Sequence, residues 1–142
     1  MEKLIAPNTV HTTFHVRYAE TDAMGIVHHS MYLVWFEEAR SALMRVQGTS
    51  YAQFEADGVS LAVSEVEMRF IAPAKYDQLI TVECQLSEVK SRKMTFEYTV
   101  FNAETGQKLT TGITRHICIN QDGITTRIPP QWVKRWSVTE NS

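Results

Sequence analysis

One stretch of the chain has the apolar spacing of a long helix, and the runs around it have the alternation of strands. Between Met31 and about Gln47, apolar residues recur at three- and four-residue steps, and Gly48 follows as a stop signal. At a rise of 1.5 Å per residue, such a helix is about 25 Å long and crosses a small domain. Leu33 and Val34 widen its apolar arc, so we expect neighbouring elements to wrap it.

Five runs alternate apolar and polar side chains, as half-buried strands do. One precedes the helix and four follow it; the runs cover residues 9–18, 59–72, 78–90, 93–103 and 108–120. Consecutive strands with short links are expected to pair antiparallel. Because one long helix is available to cover one sheet face, the pattern predicts an α+β domain in which a five-stranded antiparallel sheet wraps around a central helix.

Length and charge limit the classes of function. The 142 residues suit one domain, which we expect over 1–142 with a core of about 9–121 and a C-terminal tail of 122–142. A net charge of −2 lacks the basic field of a nucleic-acid binder. The sequence has no apolar run long enough to span a membrane and no secretory signal, so we expect a cytoplasmic protein. Cys84 and Cys118 fit no zinc spacing and are expected to be buried thiols, with no metal bound.

The segment between the first strand and the helix carries the candidate chemistry. Asp22 lies seven residues before His29, where the helix is about to begin. The first amides of a helix have no internal partner and favour an oxyanion. A carboxylate beside such amides has what is needed for attack on an acyl carbon. The local alternative is that Asp22 forms an Asx turn that only shapes the loop.

An ordered set of residues in this region resembles the active-site segment of hotdog-fold acyl-CoA thioesterases, the 4-hydroxybenzoyl-CoA thioesterase-like family. The set comprises Tyr18, Asp22, Gly25, Val27, His29, Tyr32, Phe36, Glu37, Ala39 and Arg40. The similarity continues through residues 70–77 and 116–119, so it covers roughly residues 10–120.

The resemblance implies a hotdog fold whose dimers join their sheets, frequently as tetramers, with active sites between two chains. By the same resemblance, Asp22 is the catalytic carboxylate, acting as general base or nucleophile. The backbone N–H of His29 polarises the thioester carbonyl, and the side chains of Tyr18 and His29 surround the carboxylate. Coenzyme A enters as part of the acyl-CoA substrate, so no further cofactor is expected.

Several other residues are candidate substrate contacts. Met24, Gly25 and Val27 belong to the matched loop, where Met24 and His28 depart from the commoner family pattern and reshape the acyl mouth. Ser64 shares a strand face with apolar residues and is interpreted as lining the pocket. A basic cluster at a strand turn contacts the phosphates of coenzyme A or is a solvated hairpin tip; it contains Lys90, Arg92 and Lys93.

Alternative functions remain open on the same scaffold. The chain could be a non-catalytic acyl-CoA or acyl-carrier binding module, since fold alone does not settle function. It could also be a dihydroxynaphthoyl-CoA or acyl-carrier-protein thioesterase. A hotdog dehydratase would rely on a helix carboxylate and a paired histidine, an arrangement that this motif does not reproduce. Glu37 on the predicted helix is a minor candidate for a catalytic acid.

Overall fold

The computed structural model describes residues 8–137 and contains one five-stranded antiparallel sheet with three helices. The strands are β1 (Thr9–His15), β2 (Val59–Phe70), β3 (Leu79–Val89), β4 (Lys93–Asn102) and β5 (Lys108–Asn120). The helices are α1 (His29–Val46), α2 (Tyr51–Ala56) and α3 (Pro130–Ser137), and a short 3₁₀ turn spans Tyr18–Glu20. The predicted α+β class and central helix are confirmed.

The strand order in the sheet is β1-β3-β4-β5-β2, which corrects one expectation. β2 and β3 are consecutive, yet they do not pair, because β2 pairs with β5 at the far edge of the sheet. The chain after β2 crosses the end of the sheet and meets the exit of β1. There the Val16 amide donates to the Gln78 carbonyl at 2.9 Å, and the Asp77 amide donates to the Val16 carbonyl at 3.0 Å. β3 therefore begins beside β1.

One face of the sheet packs on α1. The inward side chains of β3 and β4 are buried, as their alternation predicted; they are Ile80, Val82, Cys84, Leu86, Met94, Phe96, Tyr98 and Val100. On α1, Phe36 is fully buried and stacks on Tyr98 with ring centroids 4.1 Å apart. Gly112 of β5 makes this possible, since a Cβ there would lie 2.5 Å from the Phe36 ring.

The sheet covers α1 less completely than the sequence suggested. Val34 is 50% exposed and Leu33 is 39% exposed, so one side of the helix is open in a single chain. Two inward side chains of β2, Val66 and Phe70, are exposed as well. Apolar surface is therefore left on α1 and along the β2 edge.

The C-terminal tail folds back onto the body of the domain. Trp132 and Trp136 of α3 are buried and pack against Phe54 of α2. Cys84 and Cys118 are free, buried thiols, which confirms their interpretation. Between residues 8 and 137, no helix combines the length and apolar character that crossing a bilayer requires.

Candidate active site

A tight loop, residues 21–27, follows the 3₁₀ turn and precedes α1; we call it the Asp22 loop. A bridge between Thr21 and Val27 closes it. Inside, the Asp22 amide donates to the Ile26 carbonyl at 2.8 Å, and the Gly25 amide donates to the Asp22 carbonyl at 3.0 Å. Gly25 has φ of +77°, a conformation that favours glycine. The loop is thus a compact unit fixed by its own backbone.

The two oxygens of the Asp22 carboxylate have different surroundings. Oδ1 accepts hydrogen bonds from the Met24 amide at 2.8 Å and the Ile26 amide at 3.2 Å. No residue in the described range donates to Oδ2. The amide bonds from Met24 and then Ile26 hold the pKa of Asp22 below its usual value, and the charge of His28 adds to this shift. One oxygen shapes the loop as an Asx turn while the other is free to react, so the two sequence interpretations of Asp22 are compatible.

α1 begins at His29, two residues after the Asp22 loop ends. His28 is the N-cap, and its side chain makes no capping hydrogen bond. Its backbone amide donates to the Glu20 carbonyl at 3.0 Å, which ties the helix start to the 3₁₀ turn. The His29 ring stacks on Phe70 of β2, with centroids 4.6 Å apart. Uncapped amides and a fixed first turn can stabilise a developing oxyanion.

A small cavity of about 180 Å³, the loop cleft, lies beside the start of α1, and Asp22 itself is not among the residues that line it. It is lined by Ile26 and Val27 of the Asp22 loop, His29 and Tyr32 of α1, and residues 70–73 after β2. The cleft is mainly apolar and has the helix start in its wall. It therefore offers room for a group bonded to an acyl carbon.

The structure places the other predicted loop residues with different environments. Tyr18 is 77% exposed and packs edge-on against Tyr76, with centroids 5.4 Å apart. Met24 is 80% exposed at the loop tip. Val27 is buried, and its amide donates to the Ala74 carbonyl at 3.0 Å. The Gly25 carbonyl accepts from the Tyr76 amide at 3.0 Å. Tyr18 and Met24 are thus solvent-facing in a single chain.

Ser64 lies apart from the Asp22 loop. It occupies an irregularity in the β2–β5 register between Val63 and Glu65. Its hydroxyl donates to the Arg115 carbonyl at 3.1 Å. The hydroxyl is exposed and serves the backbone of the next strand.

The basic cluster is a hairpin tip at the opposite end of the sheet. The Lys90 amide donates to the Lys93 carbonyl at 2.8 Å, and the Lys90 ammonium lies 3.7 Å from Glu88. The Asp22 loop lies near the start of β3, whereas this hairpin follows the end of β3. Eleven residues of strand separate the two places, or about 33 Å. A single chain therefore does not bring Lys90, Arg92 or Lys93 to Asp22.

A row of buried polar side chains, which the sequence pattern did not predict, joins α1 to the sheet. The Arg40 guanidinium donates to the Tyr98 hydroxyl at 3.0 Å, which lies 2.6 Å from the Thr114 hydroxyl. Thr114 in turn lies 2.8 Å from Nε2 of His116. The available signal was the alternation of β5, which puts Thr114 and His116 on its inward face.

Burial is the main cause of the pKa shifts of Tyr98 and His116 in this hydrogen-bonded row. It raises the pKa of Tyr98 to about 12. It lowers the pKa of His116 to about 4, with the nearby Arg40 charge acting in the same direction and the Leu61 backbone opposing both. At neutral pH the tyrosine is therefore protonated and the histidine is neutral.

Comparisons with known proteins show which family the chain belongs to. The sequence profile of the Thioesterase-like superfamily matches residues 16–137. A Bacillus subtilis (strain 168) protein named "Putative acyl-CoA thioesterase YneP" is 34% identical over 75% of this chain and 77% of its own length. The structure of a DHNA-CoA thioesterase from Staphylococcus aureus is 31% identical, covers 94% of this chain and 91% of that one, and superposes with a TM-score of 0.87.

A hypothetical protein, TT1821 from Thermus thermophilus, is 40% identical, covers 92% of this chain and 97% of its own, and has a TM-score of 0.85. The family match spans the Asp22 loop, α1 and every strand of the sheet except β1. The sheet around the long helix is accordingly a hotdog fold, and the chain belongs to the thioesterase-like superfamily.

Proposed function

We propose that this protein hydrolyses an acyl-CoA thioester to a free acid and coenzyme A. The observation that carries the proposal is the Asp22 carboxylate, which is ionised and held through Oδ1, in the loop that leads directly into the start of α1, where no side chain caps the helix. The names of the Bacillus subtilis and Staphylococcus aureus relatives support the same reaction and an acyl-CoA substrate.

The proposed reaction needs only these groups and water. The thioester carbonyl oxygen accepts a hydrogen bond from the backbone N–H of His29. Asp22 removes a proton from water as the water oxygen bonds to the acyl carbon, and the negative charge moves to the oxygen at the helix amides. The C–S bond then breaks, and the departing thiolate takes up a proton. In the alternative route, Asp22 itself attacks and water hydrolyses the resulting anhydride.

The free edge of β2 supports a joined-sheet dimer. β2 pairs with β5 on one side, and no strand lies along its other edge among residues 8–137. Two β2 edges related by a two-fold axis run antiparallel. The Phe70 end of one strand then faces the Val59 end of the other. The Asp22 loop of one copy therefore lies beside the Val59 end of β2 in the second copy.

This dimer also gives the basic hairpin a role. Lys93 pairs with Ile117 of β5, and Ile117 pairs with Ala62 of β2. The hairpin thus lies two strands, about 10 Å, from the Val59 end of β2. Across the joined edge, Lys90, Arg92 and Lys93 of one copy approach the Asp22 loop of the other, where they bind the phosphates of coenzyme A.

The proposal extends to a tetramer, the cytoplasm as the compartment, the absence of a resident cofactor, and the substrate contacts. The open side of α1 around Leu33 and Val34 suits a second contact that builds a tetramer. The protein acts in the cytoplasm, and it uses no resident cofactor or metal because coenzyme A arrives with the substrate. Tyr18, Met24 and Gly25 contact substrate at the mouth of the site.

The test is thiol release from a panel of acyl-CoAs with short, medium, long and aromatic acyl groups, including dihydroxynaphthoyl-CoA. Asp22→Asn keeps an oxygen for the Met24 and Ile26 amides but removes the charge. We expect it to fold normally and to lose about 10²–10⁴-fold in rate. Cys84 and Cys118 do not disturb the readout, because burial raises the pKa of both thiols. Equal rates for the two proteins would contradict the role of Asp22, and binding without turnover would indicate a binding module.

A further inference from the structure

The Asp22 loop and the residues on either side of it form a small hairpin with two legs. The first leg covers residues 20–22 and the second leg covers residues 26–28, and a bridge and a backbone hydrogen bond of 3.0 Å join them. The second leg also pairs, on its other side, with residues 74–76, which follow β2. The first leg, which carries Asp22, is therefore the outer one.

One side chain connects this outer leg to the central helix. The Glu20 carboxylate accepts the indole N–H of Trp35 at 2.8 Å. Within the part of the chain that the structure describes, no other hydrogen bond runs from residues 20–22 to a residue beyond 17–28. Trp35 lies six residues along α1 from His29, or about 9 Å. The bond therefore ties the outer leg to a point well inside the helix.

The Glu20 side chain is held in a single geometry. It is almost completely buried, and its carboxylate also accepts the Arg17 amide and the Arg17 guanidinium, each at 2.7 Å. Removing a carboxylate from water costs free energy, so a buried ion pair is weak evidence for stability by itself. A fully bonded group of this kind instead gives the parts that it joins one defined arrangement.

The backbone of the same residue acts on the start of the helix. The Glu20 carbonyl accepts the His28 amide at 3.0 Å, and the His28 carbonyl accepts the Met31 amide at 3.0 Å. The two amides between them, those of His29 and Ser30, have no hydrogen-bond partner among residues 8–137. Glu20 thus contacts both the leg that carries Asp22 and the residue that precedes these two amides.

We infer that Glu20 is a positioning residue for the proposed hydrolysis, which sets the place of the Asp22 carboxylate relative to the first amides of α1 through its bond to Trp35. Glu20 is not among the residues that line the loop cleft, so it acts through Asp22 rather than on the substrate. This inference rests on the proposed function.

A small displacement of the outer leg is enough to slow the reaction. An error of about 1 Å in the position of a reacting group can cost on the order of 10²-fold in rate. Without the Trp35 bond, the outer leg can pivot about its pairing with the second leg. The Met24 and Ile26 amides that hold Asp22 belong to the same hairpin and move with it. Asp22 therefore keeps its charge and loses its position.

The experiment measures kcat and KM for the most rapidly hydrolysed acyl-CoA of the panel. Trp35→Phe removes the donor, and Glu20→Gln changes the acceptor. In each variant kcat should fall by about tenfold or more, while KM and the acid limb of the pH profile stay close to wild type. Both variants are needed, because Trp35 also packs against Tyr32, which lines the loop cleft. Circular dichroism shows that each variant is folded at the assay temperature.

Trp132→Phe is the matched control. Trp132 of α3 also donates its indole N–H to a carboxylate, that of Asp57, at 2.6 Å. α3 lies at the opposite end of α1, where the Arg135 guanidinium donates to the Gln47 carbonyl at 3.1 Å. This variant loses the same kind of bond far from the Asp22 loop. It should lose stability without a change in kcat.

A double-variant cycle separates positioning from a general effect on the fold. If Glu20 acts through Asp22, then Trp35→Phe and Glu20→Gln should change the residual rate of Asp22→Asn by less than about twofold. An undiminished effect in that background, or wild-type kcat in the folded single variants, would overturn the inference and leave hydrolysis standing. If Trp35→Phe does not fold, Glu20→Gln decides. A wild-type protein that hydrolyses no thioester of the panel would overturn the proposed function, and this inference with it.

Discussion

The indole N–H of Trp35 donates to the carboxylate of Glu20 across 2.8 Å, which joins the middle of α1 to the turn before Asp22. Glu20 is 3% exposed and also accepts from the Arg17 amide at 2.7 Å and the Arg17 guanidinium at 2.7 Å. Its carbonyl accepts the His28 amide. One residue therefore fixes both the entry and the exit of the Asp22 loop.

Glu20→Gln should lower the free energy of unfolding at pH 7 by about 1–3 kcal/mol. The new side-chain NH₂ group is a donor, so it cannot accept the hydrogen bonds that Arg17 donates to the carboxylate. Burial raises the pKa of Glu20, but the hydrogen bonds from Trp35 and Arg17 outweigh it, so the pKa lies below its ordinary 4.5. The stabilisation is therefore complete above that value and is lost as the pH falls through the lower folded-state pKa.

Urea denaturation at pH 7 and pH 3 measures this. The difference in the free energy of unfolding between wild type and Glu20→Gln should be smaller at pH 3 than at pH 7. Glu38→Gln is the control, because Glu38 pairs with Arg45 at 3.1 Å on the surface and should matter little. A gap that is independent of pH would contradict an ionised, paired Glu20.

Hydrolysis should persist at unusually low pH. The loop amides hold the pKa of Asp22 below 3.8, and the base works only when ionised. The profile of kcat/KM should thus be flat down to about pH 5 and fall only below about pH 4. Thermal melting at each pH shows that the fold is intact. A loss of activity that begins well above pH 5 would contradict Asp22 as the base.

Gly112→Ala should destabilise the fold. The new Cβ would lie 2.5 Å and 2.7 Å from two ring atoms of Phe36. Because Phe36 is fully buried, its ring has no free space into which it could move. Overpacking of this kind costs about 1–3 kcal/mol. Chemical denaturation of Gly112→Ala, Phe36→Leu and the double variant tests the cause. If the two changes are additive, the ring contact is not responsible.

Val66→Glu should weaken the proposed joined-sheet dimer. Val66 is 41% exposed on the inward side of the β2 edge, and a carboxylate there would be buried against the second copy. Sedimentation equilibrium should show a dissociation constant at least tenfold higher. Ala103→Glu adds the same charge in the β4–β5 turn and should have no effect. A monomeric wild-type protein would refute the joined-sheet arrangement.

Alternation predicted the elements well but said less about their neighbours. β5 begins and ends where the pattern placed it, at Lys108 and Asn120. The first run ended early, because the chain turns after His15 and Tyr18 enters a 3₁₀ turn. Side-chain period assigns a residue to a face of the sheet; it does not assign a partner strand. That is why the pairing of β2 with β5 was missed.

The candidate site was predictable in its local part. The Asp22 loop and the start of α1 are adjacent in sequence, so their spacing already contained the geometry. The row of polar side chains that ends at His116 depends instead on the β4–β5 register, where Phe96 faces Thr114 and Met94 faces His116. Polar residues at inward positions were visible in β5, but their connection to Arg40 requires the folded chain.

The strand order has a consequence for how the protein assembles. β3, β4 and β5 form successive hairpins, whereas β1 and β2 join this meander through distant pairs such as Thr12 with Val82 and Val66 with Thr114. Local hairpins cost less loop-closure entropy, so the meander is the natural nucleus, and both outer strands are added afterwards. The outer strands flank α1 and the Asp22 loop. The last parts to assemble, and the first to open during native-state hydrogen exchange, are thus those that hold the proposed active site.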